Sequence, residues 1–365
     1  MNLATTEVKR AKLRFGLLTG AVALLVFLTL LLTTLSGALI GALVGALEGL
    51  KTDGLAYSDT ARDNIAASRL PVDTVDAVAA VSGVAAAAGI GTLTTAAEVN
   101  GEAIDIQVFG VDSTGPGAPS GLTDGRLPEN ANEAAVDGGG VAIGDVIVLD
   151  PSGVELTVVG LLRGAQFNAI PTAYSDLATF EDIVTLSFPG LPFVPINAVA
   201  FDIAEGAQAS EVIAAIESSV PGVRAYTRDD AVALIPGIDS ITQSFGILVG
   251  LTFIIGIVVI GFFFLILTVQ KLKSFTLLRA IGTTTGRLAI TVSLQIAFVV
   301  ILASIIAVGL VLLAVQGLNT GIPVTLEPIT IVATVLAVLV FSLIAGLLSI
   351  RRIVRIDPAS AVGAR

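Results

Sequence analysis

Four long uncharged runs punctuate the chain, and one long polar stretch separates the first run from the other three. Phe15 to Leu47 holds 33 residues without a charge, and Ser244–Val269, Leu288–Val315 and Pro328–Ile350 are also uncharged. A helix needs about 20 predominantly apolar residues to cross a hydrocarbon core, so each run is long enough to span. The first is longer than a bilayer requires, at about 1.5 Å of rise per residue, so its helix is expected to emerge beyond the membrane. It also exceeds the 7–15 apolar residues of a signal peptide, so it is expected to be retained.

Within the exit region the sequence reads Gly37-Ala-Leu-Ile-Gly41-Ala-Leu-Val-Gly45-Ala-Leu-Glu48-Gly49. Glycines four apart fall on one helix face, where the absent side chains let another helix approach closely. Gly37, Gly41, Gly45 and Gly49 are therefore expected to be a helix-packing surface, and a homodimer is one way to supply the partner. Glu48 lies close to the same face. A carboxylate at this depth is costly unless a partner, a cation or a ligand satisfies it, which makes it the candidate substrate-binding residue.

The polar stretch, residues 51–243, shows shorter periods. Asp73 to Ala88 is helix-like, Ala103–Phe109 alternates as a strand does, and Asp112 to Gly125 is a Gly/Pro/Ser loop. Gly144–Asp150 and Val154–Val159 flank a Pro151-Ser152-Gly153 turn and predict a hairpin, while Ala207 to Ser219 predicts an amphipathic helix. Strands and helices without a βαβ rhythm indicate an α+β domain. The expected fold is thus an α-helical membrane protein with four transmembrane helices and an α+β extracytoplasmic domain inserted between spans 1 and 2. Its segments are 1–14, 15–50 (span 1), 51–243 (domain), 244–269 (span 2), 270–287, 288–315 (span 3), 316–327, 328–350 (span 4) and 351–365.

Charge orients this arrangement. The formal net charge is −11. With residues 1–14, 270–287 and 351–365 on one side, that side carries twelve basic against two acidic residues, and the remainder carries seven against 28. Basic loops stay cytoplasmic, so both termini and the 270–287 loop are expected inside a plasma membrane, in contact with its lipid. No nucleic-acid partner is expected.

The chain has no histidine and no cysteine. Ser-His-Asp and Cys-His catalysis and His-containing zinc sites are therefore beyond it, and no catalytic or metal-ligating residue is proposed. The nearest string to a P-loop, Gly282-Thr-Thr-Thr-Gly286-Arg287, has the wrong spacing and lacks the lysine that would hold phosphates. The chain is not expected to be an enzyme, and it holds no cofactor of its own.

The loop at 270–287 has a distinct pattern. Phe275, Leu278 and Ile281 recur at helical spacing among Lys271, Lys273, Arg279 and Arg287, and Gly282 stops the run. This describes a short amphipathic helix at the inner membrane face. Lys271-Leu-Lys-Ser-Phe-Thr-Leu-Leu-Arg-Ala-Ile-Gly282 resembles the cytoplasmic loop of the FtsX-like permease family, membrane subunits of macrolide-exporter and cell-division type ABC transporters. The Gly144-Asp145 strand and the Asp357-Pro358-Ala359 ending are similar to that family too.

The resemblance implies a permease subunit of an efflux transporter, homodimeric, whose ABC ATPase is a separate chain that binds ATP. Lys273, Phe275, Leu278, Arg279, Ile281 and Gly282 would be the coupling helix that docks into it. Asn2-Leu-Ala, Lys12-Leu-Arg-Phe15 and Ala46-Leu-Glu48-Gly-Leu50 further resemble the haem-efflux permeases of Gram-positive bacteria, where a glutamate after the first span can ligate haem. Haem is thus the leading substrate, ahead of amphipathic peptide or lipid. The only methionine is Met1, so a second axial donor would come from a second Glu48, from Tyr57 or from an open position. The alternative is a cell-division type scaffold whose outer domain regulates a wall hydrolase without transport.

Overall fold

A computed structural model describes residues 12–270, 285–317 and 328–354. It divides into two compact units, one of them Gly37–Ile241 and the other helical. The first helix, α1 (Lys12–Glu48), contributes residues to both.

In the helical unit, α1 through residue 36 packs with α6 (Ile238–Gln270), α7 (Thr285–Gly317) and α8 (Pro328–Val354). Phe15, Leu18, Val22, Val26 and Leu30 recur every three or four residues along α1 and bury themselves against Ile260 of α6, Ile296–Val311 of α7 and Val338 of α8. Phe253 of α6 and Phe341 of α8 meet edge to face at 6.1 Å. Thr29, Thr252 and Ser342 each return their hydroxyl to the carbonyl four residues earlier, so none leaves a polar atom unpaired in the bundle. Among the described residues three helices are long and apolar enough to cross a membrane: Phe15–Glu48, Ile238–Phe263 and Ser293–Gln316. In α8, Pro328–Ile344 is a further apolar helical stretch, and the uncharged run continues to Ile350.

The second unit is a mixed, ten-stranded sheet with helices on it. In spatial order its strands are β12 (Val223–Thr227), β2 (Gly54–Ser58), β11 (Ala198–Ile203), β3 (Val84–Val99), β4 (Glu102–Val111), β10 (Thr172–Asp176), β7 (Glu133–Asp137), β9 (Glu155–Leu162) and β6 (Leu122–Gly125), with β8 (Val146–Asp150) against β3 and β9. The short β1 (Leu50–Lys51) and β5 (Ala118–Pro119) pair separately. Most neighbours are antiparallel, but β10/β4 and β7/β9 are parallel, so the unit is α+β.

One strand joins the two halves of the sheet. The first half of β3 pairs with β11 and the second with β4, the change falling at Ile90–Gly91. Gly91 and Gly110 face each other across that ladder, and a Cβ on either would lie 2.2–2.3 Å from Phe180 of α3 (Leu177–Ser187). The missing side chains make the hollow that seats this ring.

The helix expected at Asp73 to Ala88 is confined to α2 (Thr74–Ala79). Gly83, at φ +93°, turns the chain, and Val84–Ala88 then extend into β3, where pairing with β11 outweighs the helix preference of an alanine run. The expected 112–125 loop contains β5 and β6. The hairpin around Pro151–Gly153 is present, with Val146, Ile147 and Val148 opposite Thr157, Leu156 and Glu155. Helices α4 (Ala209–Ser219) and α5 (Arg228–Ala233) complete the unit.

Candidate functional site

Glu48 is the last residue of α1, and it is solvent-exposed. The backbone just before it is not that of a free helix end. In a regular α-helix the Ala46 N–H belongs to Ala42 O. Here it donates to Gln166 O at 2.8 Å, while Ala42 O and Leu43 O accept from the N–H groups of Ala169 at 2.8 Å and Asn168 at 3.0 Å. Residues 163–171, the β9–β10 loop, are thus joined to α1 by three main-chain hydrogen bonds.

Gly45 makes this approach feasible. A Cβ there would stand 2.6 Å from Gly164 O, a backbone atom that cannot swing away. A Cβ on Gly49 would also be crowded, 3.0 Å from Gly45 O and 3.3 Å from Ser120 Oγ. A Cβ on Gly37 or Gly41 would meet nothing within 4 Å among the described residues. The glycine spacing predicts a helix against all four positions; within one chain, the neighbour at Gly45 is a loop and the first two lie open.

The loop is held in a demanding shape. Gly164, Asn168 and Ala169 have φ of 72°, 54° and 59°, and the left-handed region costs an L-residue such as alanine about 1–2 kcal/mol. Several contacts offset this. Asp137, at the end of β7 and 4% exposed, accepts the Ala165 N–H through Oδ2 at 2.6 Å. Tyr174 donates its hydroxyl to Ala165 O at 2.9 Å, and Thr172 Oγ1 accepts the Phe167 N–H at 2.9 Å. Phe167 is buried edge-on against Phe109 at 5.7 Å, and Phe109 stacks on Tyr174 at 5.3 Å. Burial pushes the Asp137 carboxyl above its ordinary value, against the backbone N–H groups of Ala165 and Gly164 and the Arg163 charge, which pull it down. Burial also raises the Tyr174 phenol, so it remains a donor.

The structure separates the other candidates. Tyr57 lies in β2, fully buried, its ring 5.9 Å from that of Tyr226. Burial raises its pKa, and a phenol so enclosed cannot reach a bound haem as an axial oxygen. Lys273, Phe275, Leu278, Arg279, Ile281 and Gly282 lie outside the described residues. Among the described residues no group of three acidic side chains could hold a metal ion. Nothing in the sequence pattern singled out the 163–171 loop or Tyr174 as functional, and Asp137, at the head of a Gly138-Gly139-Gly140 run, reads there as part of a turn. A signal was present in Gly164 and Asn168, which tolerate left-handed backbone, just ahead of Pro171.

Comparison with known proteins gives this arrangement a class. Residues 246–358 match the family described as FtsX-like permease C-terminal. An uncharacterized ABC transporter permease of Mycobacterium tuberculosis H37Rv, Rv0072, is 25% identical over 300 residues, 80% of each chain. The putative hemin transport system permease protein HrtB of Staphylococcus epidermidis ATCC 12228 is 24% identical over 246 residues, 66% of each. Among solved structures, the periplasmic region of MacB from Actinobacillus actinomycetemcomitans aligns at a TM-score of 0.38 and 10% identity, over 52% of this chain and 96% of that one. The extracellular domain of YknZ from Gram-positive bacteria aligns at 0.35 and 13%, over 48% and 100%.

Residues 246–358 thus form an FtsX-like permease domain, and the relatives at about 25% identity are named as ABC transporter permeases. Such permeases are multi-pass membrane proteins that work with an ABC ATPase on a separate subunit.

Proposed function

We propose that the chain is the permease subunit of an ABC-type exporter, a homodimer with four spans per protomer, both termini cytoplasmic and the β-rich domain outside. The observation that carries the reading is the permease domain at 246–358. The coupling helix at 270–287 would receive closure of the ATPase, and the β-rich domain would respond.

Haem leads as substrate, with amphipathic peptide and lipid behind it. Support comes from the hemin transport named for the HrtB relatives and from an exposed carboxylate at the end of α1. The Glu48 carboxylate would supply an oxygen donor to ferric iron. With Tyr57 enclosed, a second donor would come from the Glu48 of a second copy, or the position would stay open.

The decisive experiment reconstitutes the chain with its ATPase in liposomes. Haem should stimulate ATP hydrolysis and leave the vesicles on the expected side, and Glu48→Gln should lose haem binding in the Soret band while still copurifying the ATPase. ATP hydrolysis indifferent to haem, peptide and lipid would favour the scaffold reading. Orientation is tested separately, in a chain that has no native thiol. Thr123→Cys should react with an impermeant reagent in intact cells and Thr284→Cys should not.

A further inference from the structure

Four of the ten exposed large apolar residues of the β-rich unit fall in one short segment. Leu186, Phe188, Leu191 and Phe193 are 57%, 49%, 48% and 55% exposed, four large apolar side chains within eight residues. Single exposed leucines are ordinary on a soluble surface, but a contiguous set in a water-facing domain marks a contact surface. The loop is not loose. Leu191 donates its N–H to Phe188 O at 3.3 Å, Gly190 takes φ +108°, and Val194 packs into the core. Immediately beyond, Ile196 and Leu70 exchange main-chain hydrogen bonds at 2.8 and 3.0 Å, which brings Val72, 43% exposed, toward the same edge.

The charge around this patch is mainly negative. Residues 164–223 contain seven carboxylates and no lysine or arginine. Asp182 precedes Leu186 by one helical turn and shares its exposed face, and Asp73 is exposed beside Val72. Arg69, on the same edge, is turned onto the carbonyls of Ala66 and Ser68 at 2.8 and 2.6 Å. A second copy would bring carboxylates against carboxylates, and an anionic lipid surface would meet the same repulsion. A partner with apolar side chains among lysines or arginines would satisfy both features.

We propose that Leu186–Phe193, with Val72, Asp73 and Asp182 at its edge, is a docking surface for a cationic amphipathic segment of a partner protein. The inference goes beyond the permease reading and stands whether the chain exports or signals. The apolar side chains would bury against the partner's apolar face, while the carboxylates set its orientation and speed its approach.

The test uses the full chain in neutral detergent and a labelled Leu/Lys amphipathic peptide, with a Leu/Glu peptide of the same pattern as control and empty micelles as blank. The Leu/Lys peptide should bind, and Phe188→Ser with Leu191→Ser should raise its Kd about tenfold, the loss of roughly one apolar anchor. Asp73→Asn with Asp182→Asn should raise it by about threefold and flatten its salt dependence. These side chains are exposed, so melting should be unchanged, and Phe188→Ser alone serves if the double variant melts early. The chain has no tryptophan, so Phe193→Trp gives a single emission that should shift blue only when the peptide is added. Equal affinity for parent and patch variants, equal binding of the Leu/Glu peptide, or a blue shift that grows with protein concentration alone would each overturn the proposal. The last would assign the patch to a second copy.

Discussion

The two units bury their apolar residues by different rules. In the β-rich unit, Phe109, Tyr174, Phe180 and Phe201 are fully enclosed, and the large apolar side chains left outside are mainly short-strand or loop residues. In the helical unit the outside is itself apolar. The membrane-length window of α6 is only 17% buried, and Ile247, Ile254 and Phe262 are 61–64% exposed. Helices close their own backbone hydrogen bonds, so a lipid-facing side chain need only be apolar, whereas a sheet domain in water must hide the same side chain. A given truncation therefore has unequal consequences in the two places.

The largest expected effect tests that inequality. Phe109→Ala should destabilise the β-rich unit by about 3–5 kcal/mol, because its ring contacts both Phe167 and Tyr174. Ile254→Ala on α6 should stay within about 0.5 kcal/mol. Thermal unfolding of the full chain in detergent, followed by circular dichroism, measures both; comparable losses would mean that α6 is packed against protein on its exposed side.

A smaller effect separates the glycines of α1. Gly45→Ala should cost about 1–3 kcal/mol, since the new Cβ meets the Gly164 carbonyl. Gly41→Ala, with open space around it, should gain up to about 1 kcal/mol through helix propensity. If Gly41→Ala instead weakens self-association in cross-linking, a helix from another copy covers that position.

Two carboxyls of the β-rich unit should give opposite pH slopes. Asp137 is held above its ordinary value by burial, so the folded state takes up its proton before the unfolded state does. Stability from this group should grow as pH falls through the folded value, and Asp137→Asn should remove that gain. Glu133 is held well below the carboxylate range, chiefly by the paired Arg126 guanidinium at 2.5–2.7 Å. Its contribution is present at neutral pH and lost as pH falls through its folded value, and Glu133→Gln should abolish that loss. Denaturant midpoints from pH 7 to pH 3 distinguish them. The smallest effect returns to the bundle. Ser304 buries its hydroxyl without a partner among the described residues, so Ser304→Ala should change stability by no more than about 0.5 kcal/mol, or raise it.

Membrane helices were legible because uncharged length is an almost sufficient signal, and residues 238–270 and 285–317 differ from the runs at 244–269 and 288–315 only at their ends. Asp239 falls inside α6, a charge that excludes it from an apolar run but not from a helix. The Pro151-Ser-Gly hairpin was equally readable, since its turn chemistry is local. Residues 80–88 were not, because the alanines that favour a helix are drawn into β3 by β11, more than 100 residues away in sequence. The 163–171 loop was hidden for a related reason. What it does to α1 is done by peptide groups, which every residue carries.

That last property bears on how such a chain can vary over evolutionary time. The joint between residues 42–46 and 166–169 is written in main-chain atoms, with only Gly45 demanding a particular residue on the helix side. On the helix side the joint takes only peptide groups from Ala42, Leu43 and Ala46, so their side chains can change while the connection stays, whereas the loop side still depends on Asp137, Tyr174 and the left-handed positions Gly164, Asn168 and Ala169.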